Sequence, residues 1–124
     1  MKNIIVEPTT STPAIKFRAD GRLLMEGRSL PENVLNFYLP LIEWANKLTA
    51  QVVKFDVNLE YINSASSKKI LELLKVLDAN NHIKELIVNW HYELDDEDAL
   101  ENGQIFEDLL RRADFRYHEY SEAA

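Results

Sequence analysis

Two segments of the chain alternate between apolar and polar residues. The apolar positions of the first segment are Val53, Phe55, Val57, Leu59 and Tyr61, and its polar positions are Lys54, Asp56, Asn58 and Glu60. The second segment runs from about Ile83 to Tyr92, and its apolar positions are Leu86, Val88, Trp90 and Tyr92, opposite Glu85, Ile87, Asn89 and His91. A period of two is typical of a β-strand with one face in the core. The pattern therefore predicts two half-buried strands.

The segment after Gly27 repeats its apolar residues with the period of a helix. Its predicted buried stripe consists of Val34, Leu35, Tyr38, Leu41, Ile42, Ala45 and Leu48. We expect Ser29 to cap this helix, with Glu32 completing a capping box and Pro31 in the first turn. Pro40 lies inside the repeat, so it should kink the helix or end its first half.

Two further helices follow the alternating segments. One runs from about Ser64 to Ala79 and ends at Asn80-Asn81, with an inward stripe of Ile70, Leu71, Leu73, Leu74 and Leu77. The other runs from about Asp95 to Arg112. It is acidic at its start and basic at its end, and this distribution matches the helix dipole.

The remaining segments complete a mixed α/β (α+β) pattern. Ala14–Arg18 and Arg22–Glu26 form a predicted hairpin around Asp20-Gly21, Phe115–Tyr120 is a last strand, and Ser121–Ala124 is expected to fray. With a short apolar strand at the start of the chain, the order is β-β-β-α-β-α-β-α-β. Alternating strands and helices imply parallel pairing through right-handed crossovers, whereas the hairpin adds antiparallel strands. Strands buried on both faces would be continuously apolar. We therefore expect a mixed sheet with helices mainly on one face and a second face that is partly open.

Composition narrows the class of protein. The chain has 124 residues, a length typical of one domain spanning 1–124, and 14 Lys and Arg against 21 Asp and Glu give a net charge of -7. It has no cysteine, which excludes a disulfide framework, a thiolate nucleophile and a cysteine zinc site. The apolar runs are shorter than the ~20 residues that span a bilayer, and no signal sequence opens the chain. The acidic charge disfavours nucleic acid and anionic membranes as partners. We expect a cytoplasmic protein that binds no nucleic acid and does not insert into a membrane.

Residues with the spacing of a catalytic or metal site are scarce. None of the three histidines, His82, His91 and His118, has helical spacing to another histidine or to a suitable carboxylate. The acidic run from Asp95 to Asp98 lacks the spacing of a calcium loop, and it fits a solvated helix start. We expect no metal, no cofactor and no catalytic residue. The remaining enzymatic alternative uses carboxylates on the open sheet face, namely Asp56 and Glu60 with His91.

The junction between the first alternating segment and the second helix is rich in hydroxyl groups. It reads Tyr61-Ile62-Asn63-Ser64-Ala65-Ser66-Ser67-Lys68. The simplest interpretation is that Asn63 or Ser64 caps the helix. The same position suits a regulatory phosphate, since first-turn N–H groups are free and the helix dipole favours negative charge there.

Four groups of residues, in order along the chain, resemble the SiaC family of bacterial regulatory phosphoproteins. They are Ser11-Thr12-Pro13-Ala14-Ile15, Gly27-x-Ser29-x-Pro31-Glu32-Asn33, Tyr61-x-Asn63-Ser64-x-Ser66-x-Lys68, and Trp90-His91-Tyr92 with Asp95-Asp96-Glu97-Asp98 and Gly103. The resemblance implies a fold related to the STAS domain of anti-anti-sigma factors. It also implies a partner switch. A GHKL-type serine/threonine kinase phosphorylates the protein, a PP2C-type phosphatase reverses this, and the unphosphorylated form activates a diguanylate cyclase in cyclic di-GMP signalling that controls biofilm formation and aggregation.

The resemblance also assigns candidate residues. The family's acceptor directly follows the Asn of the junction and is usually Thr, so the matching acceptor here is Ser64, with Ser66 and Ser67 as alternatives. The implied partner-binding residues are Asn63, Ser64, Ser66, Ser67 and Lys68. A constitutive scaffold or adaptor of the same fold, whose serines serve only as caps, remains the alternative to the switch.

Overall fold

The computed structural model describes residues 1–121, and its strands and helices follow the predicted order. The elements are β1 (Ile4–Val6), β2 (Ala14–Phe17), β3 (Arg22–Ser29), α1 (Val34–Lys47), β4 (Val52–Ile62), α2 (Ser64–Ala79), β5 (Glu85–Glu93), α3 (Glu97–Asp108) and β6 (Asp114–Tyr120). Of the segment predicted to fray, residues 122–124 lie outside the described part.

A single six-stranded sheet connects the strands in the order β1-β2-β3-β4-β5-β6. The first three strands pair antiparallel, and β3 to β6 pair parallel. The turn between β2 and β3 depends on Gly21, which has a φ of 103° and lies so close to β4 that a Cβ would collide with the Val52 carbonyl oxygen. The mixed sheet predicted from the sequence is therefore confirmed, together with its Asp20-Gly21 turn.

The strand registers divide the sheet into a buried face and a polar face. Neighbouring residues across five strands form one buried row, consisting of Phe17, Leu23, Phe55, Val88 and Phe115. The adjacent row, displaced by one residue in each strand, points the other way and consists of Lys16, Leu24, Asp56, Asn89 and Arg116. Burying one large apolar side chain contributes about 1.5–3 kcal/mol, so the first row alone is a substantial part of the core.

The helices cover the buried face. Consecutive parallel strands lie side by side in chain order, so right-handed crossovers bring every connecting helix to the same side of the sheet. Helices α1 and α2 pack against each other, and α3 packs on β4 and β5. The opposite face remains partly open, as the alternating pattern predicts. No helix within residues 1–121 is long and apolar enough to cross a membrane.

The start of α1 differs from the prediction. Ser29 does not cap the helix but ends β3, where it is fully buried, and the N-cap is Asn33. The capping box with Glu32 is therefore wrong. Leu35 was expected in the buried stripe and is 48% exposed. Pro40 does not end the helix, since α1 continues through it to Lys47.

The third helix is shorter than predicted: it ends at Asp108 and not near Arg112. The backbone N–H groups of Arg111, Arg112 and Ala113 instead donate to the side chain of Asp78, at 2.8–2.9 Å. This carboxylate is 8% exposed and lies near the end of α2. It therefore holds the segment before β6 in a non-helical path.

Candidate functional site

Three helices begin at the same edge of the sheet, because each follows the carboxyl end of a parallel strand. Each helix is capped by a side-chain oxygen that accepts a hydrogen bond from a first-turn amide. The three caps are Asn33 for α1, Asn63 for α2 and Asp96 for α3. Capping by Asn or Asp typically contributes about 1 kcal/mol. The predicted serine-rich junction between β4 and α2 lies at this edge.

The junction between β4 and α2 forms as the sequence predicts, with Asn63 as the N-cap. Its Oδ1 atom accepts the amide of Ser66 at 2.8 Å, and its carbonyl accepts the amide of Ser67 at 2.9 Å. Ser64 is the first residue of the helix, its side chain is exposed, and its hydroxyl makes no hydrogen bond within residues 1–121. The amides of Ser64 and Ala65 belong to the turn whose N–H groups have no intrahelical acceptor.

Ser66 differs from Ser64 in every respect that governs access. It is fully buried, and its hydroxyl accepts a hydrogen bond from Ser29 at 2.8 Å. Ser29 is in turn 2.5 Å from the hydroxyl of Tyr38 on α1. Burial raises the pKa of Tyr38 to about 12, and the hydroxyls of Ser29 and Ser66 partly oppose that shift. The three side chains form a buried hydroxyl network that joins β3, α1 and α2.

The other predicted junction residues lie around the first turn of α2. Ser67 is half-buried and Lys68 is exposed, whereas Lys69 makes an ion pair with Glu72 at 2.9 Å. The structure thus brings Asn63, Ser66 and Ser67 together through the cap. Lys68 is the exposed positively charged residue nearest to Ser64 in the sequence.

A cavity of about 310 Å³ opens beside this junction, between the end of β4 and the start of α3. Its lining includes Glu60, Tyr61, Trp90, His91 and Asp98. The Trp90 indole N–H donates to the carbonyl of Ala99 at 2.8 Å and thereby fixes the α3 start against the sheet. The predicted acidic run surrounds this start, where Asp96 is the cap and Glu97 and Asp98 lie in the first turn.

The residues of the enzymatic alternative lie on and beside the open sheet face. Asp56 and His91 make a hydrogen bond of 2.9 Å, and the His91 ring stacks on His118 with centroids 4.9 Å apart. Glu60 lines the cavity with His91 but makes no hydrogen bond with Asp56 or His91. No group of three or more metal-ligating side chains occurs among residues 1–121. The Asp56–His91 pair therefore acts as a cross-strand polar contact.

Sequence reasoning missed the parts of the site that come from distant residues. Tyr38 was predicted only as a member of an apolar stripe, and Ser29 was predicted as a helix cap. The sequence does indicate that both residues need a hydrogen-bond partner, because Ser29 follows apolar strand residues and Tyr38 lies in a buried stripe. That requirement does not identify the partner.

These features define a small α/β protein, in which a helix start with an exposed hydroxyl lies at the edge of a one-sided sheet. The model of the SiaC family, described as SiaC family regulatory phosphoprotein, matches residues 6–120. The chain therefore belongs to the SiaC family of regulatory phosphoproteins.

Relatives and solved structures agree with this assignment. An uncharacterized protein of Pseudomonas aeruginosa strain UCBPP-PA14 is 31% identical over 112 residues, which cover 86% of this chain and 88% of that protein. The crystal structure of apo-SiaC from Pseudomonas aeruginosa matches with a TM-score of 0.78 and 29% identity, over 95% of this chain and 99% of that one. A chain in the structure of the diguanylate cyclase SiaD with its activator SiaC, also from Pseudomonas aeruginosa, matches with a TM-score of 0.80 and 28% identity, over 94% and 99% of the two chains. The predicted family and fold are confirmed.

Proposed function

We propose that this protein is a non-enzymatic switch whose phosphorylation state decides which partner it binds. Ser64 is the acceptor, a GHKL-type kinase and a PP2C-type phosphatase interconvert the two forms, and the unphosphorylated form binds and activates a diguanylate cyclase in the cytoplasm. The observation that carries the proposal is the exposed Ser64 hydroxyl at the first position of α2, directly after the Asn63 cap.

Burial favours Ser64 over the neighbouring serines. A kinase must bring the acceptor oxygen in line with the γ-phosphate of ATP, so the oxygen has to reach the enzyme's active site. Ser66 has no exposed surface and is hydrogen-bonded to Ser29, while Ser67 is half-buried. Phosphorylation of Ser66 would require the first turn of α2 to open, whereas phosphorylation of Ser64 requires no rearrangement of the core.

A phosphate on Ser64 would change the docking surface more than the fold. It adds about 1.5–2 negative charges near pH 7, next to first-turn N–H groups that can donate hydrogen bonds to an anion. Asn63, Ser67 and Lys68 surround that position and form the proposed partner-binding surface, with Ser66 contributing through its anchoring of the turn. A partner that closes over this surface would have to desolvate the new charge, at a cost of several kcal/mol.

The cyclase as partner rests on the solved complex of SiaD with SiaC, whose matching chain resembles this one over almost its whole length. Membership of a family of regulatory phosphoproteins favours recognition of a partner over catalysis. The cytoplasmic location follows from the same proposal, since both the kinase and the cyclase use nucleoside triphosphates.

The acceptor assignment is tested by incubating the protein with its cognate kinase and ATP and mapping phosphate by mass spectrometry. We expect nearly all phosphate on Ser64 in the wild type, loss of that phosphate in Ser64→Ala with only the small share on Ser66 left, and wild-type incorporation in the matched control Ser67→Ala. Undiminished incorporation in Ser64→Ala would overturn the assignment.

The gating step is tested by calorimetric titration of the cyclase with each form of the protein, alongside cyclase activity. Ser64→Ala should bind and activate like the unphosphorylated wild type, and Ser64→Asp or the phosphorylated protein should bind at least about tenfold more weakly, the equivalent of about 1.4 kcal/mol. Equal affinities of all forms would instead indicate a constitutive scaffold.

A further inference from the structure

The buried hydroxyl network of Ser29, Tyr38 and Ser66 has no part in the proposed phosphate chemistry. All three side chains have zero exposure, and they come from three different elements: the end of β3, the second turn of α1 and the first turn of α2. Buried hydroxyl groups in an otherwise apolar core cost stability unless each one is paired. Their concentration directly beneath the α2 start therefore calls for a specific role.

The hydrogen bonds of the network have a defined direction. Ser29 donates its only hydroxyl proton to Ser66 at 2.8 Å, so the 2.5 Å contact with Tyr38 requires the tyrosine to donate to Ser29. The backbone reinforces the same connection, because the amide of Asn63 donates to the carbonyl of Ser29 at 3.0 Å. Ser29 thus holds both the cap residue and the first turn of α2.

Helical geometry links this anchor to Ser64. Successive helical residues are rotated by about 100°, so Ser64 and Ser66 lie about 200° apart around the axis. A first turn that is fixed with Ser66 inward therefore directs Ser64 outward. A rotation of the turn that exposed Ser66 would withdraw Ser64 by a similar angle.

We propose that Ser29 and Tyr38 are positioning residues that determine which serine of this turn can be phosphorylated, by holding Ser66 inward and Ser64 outward. This inference rests on the proposed function, which it deepens by assigning the basis of acceptor selectivity. Neither residue touches the phosphate. They act through the rotational position of the α2 first turn.

The first measurement needs no kinase and uses hydrogen exchange of the purified protein. Tyr38→Phe removes the terminal hydroxyl and keeps the ring. We expect the amides of Ser66 and Ser67, which both bond to Asn63, to exchange about fivefold faster, the factor for one net hydrogen bond. Ser29→Ala should have the same effect, and the double variant should add little to either single one. Amides in β4 should keep their wild-type rates.

The second measurement is the ratio of phosphate on Ser66 to phosphate on Ser64 after treatment with the kinase. Since Ser66 reacts only from the opened turn, its share should rise about fivefold in Tyr38→Phe, in proportion to the opening. The matched control is Tyr117→Phe, which removes a tyrosine hydroxyl that donates to Glu107 at 2.8 Å and joins β6 to α3, outside the network. It should leave the ratio unchanged.

The outcomes separate the two proposals. Unchanged exchange at Ser66 and Ser67 in both Tyr38→Phe and Ser29→Ala would overturn the positioning role, as would equal acceleration throughout the molecule or an equal phosphate shift in Tyr117→Phe. Absence of phosphate on Ser64 in the wild type would instead refute the proposed function. The exchange rates would still show, independently of the kinase, whether Ser29 and Tyr38 hold the first turn of α2.

Discussion

Replacing Gly103 with alanine tests how rigidly α3 is held against the sheet beside the candidate site. A Cβ at this position would lie 2.8 Å from both Cδ1 and Nε1 of the Trp90 indole. The indole cannot move away freely. It is 2% exposed, donates to the carbonyl of Ala99, and has an edge contact with Phe106 at 5.6 Å and a stacking contact with Phe115 at 6.2 Å.

Three terms decide the size of the effect of Gly103→Ala on the free energy of unfolding. Overpacking a filled core costs about 1–3 kcal/mol, and loss of the indole hydrogen bond would add about 1 kcal/mol. Alanine in a helix is favoured over glycine by about 1 kcal/mol, which acts in the opposite direction. The steric term is larger, so we expect a net loss of about 1–3 kcal/mol.

Urea unfolding followed by tryptophan fluorescence measures this loss. The matched control is Gln104→Ala, an exposed neighbour in the same helix, which should stay within about 0.5 kcal/mol of the wild type. If Gly103→Ala were as stable as the wild type or more so, helix propensity would outweigh the contact. The claim that Trp90 is fixed would then be wrong.

Two further predictions concern buried polar groups. Asp78→Asn should lower the free energy of unfolding by about 2 kcal/mol, because an amide nitrogen cannot accept the hydrogen bonds that the carboxylate accepts from backbone N–H groups. Urea unfolding measures this loss, and the control Glu43→Gln, at an exposed position, should change stability little. An unchanged urea midpoint in Asp78→Asn would contradict the prediction. For Tyr38, the raised pKa of about 12 means that the folded protein keeps a proton that the unfolded chain loses above its ordinary value of 10.0. Stability should therefore be intact below pH 10 and fall by about 2–3 kcal/mol between pH 10 and 12, and this part of the pH dependence should vanish in Tyr38→Phe; identical pH profiles would refute it.

The elements that the sequence predicts well are those whose determinants lie within a few residues. The start of α2 is an example, since Asn63 caps an amide only three residues away and the apolar stripe begins in the next turn. The alternating strands are another, because burial of Val53, Phe55 and Val57 follows directly from the period of two. Ile87 and Tyr61 depart from this rule. Ile87 lies among the polar positions of β5 and is nevertheless 5% exposed, whereas Tyr61 lies among the apolar positions of β4 and is 48% exposed.

The residues that the sequence does not predict depend on distant partners. Ser29 has the local pattern of a helix cap, but its side chain bonds residues 9 and 37 positions away. Asp78 has the position of a solvated acid in an amphipathic helix, but its carboxylate oxygens accept hydrogen bonds from backbone amides more than 30 residues further along the chain. Those amides also explain why α3 ends at Asp108, which no local signal announces. Tertiary contacts therefore override local preference at the points where elements meet.

The geometry around Ser64 also bears on how a phosphate would act in the proposed switch. The protein carries a net charge of -7, so two more negative charges change its overall field only modestly. At physiological ionic strength a surface charge is screened beyond about 8 Å, which confines its effect to the neighbourhood of the helix start. Because the Ser64 hydroxyl makes no hydrogen bond within residues 1–121, a phosphate on Ser64 would break no internal hydrogen bond there. The free-energy difference between the two forms must then arise mainly in the interface with the partner, and not in a rearrangement of the domain.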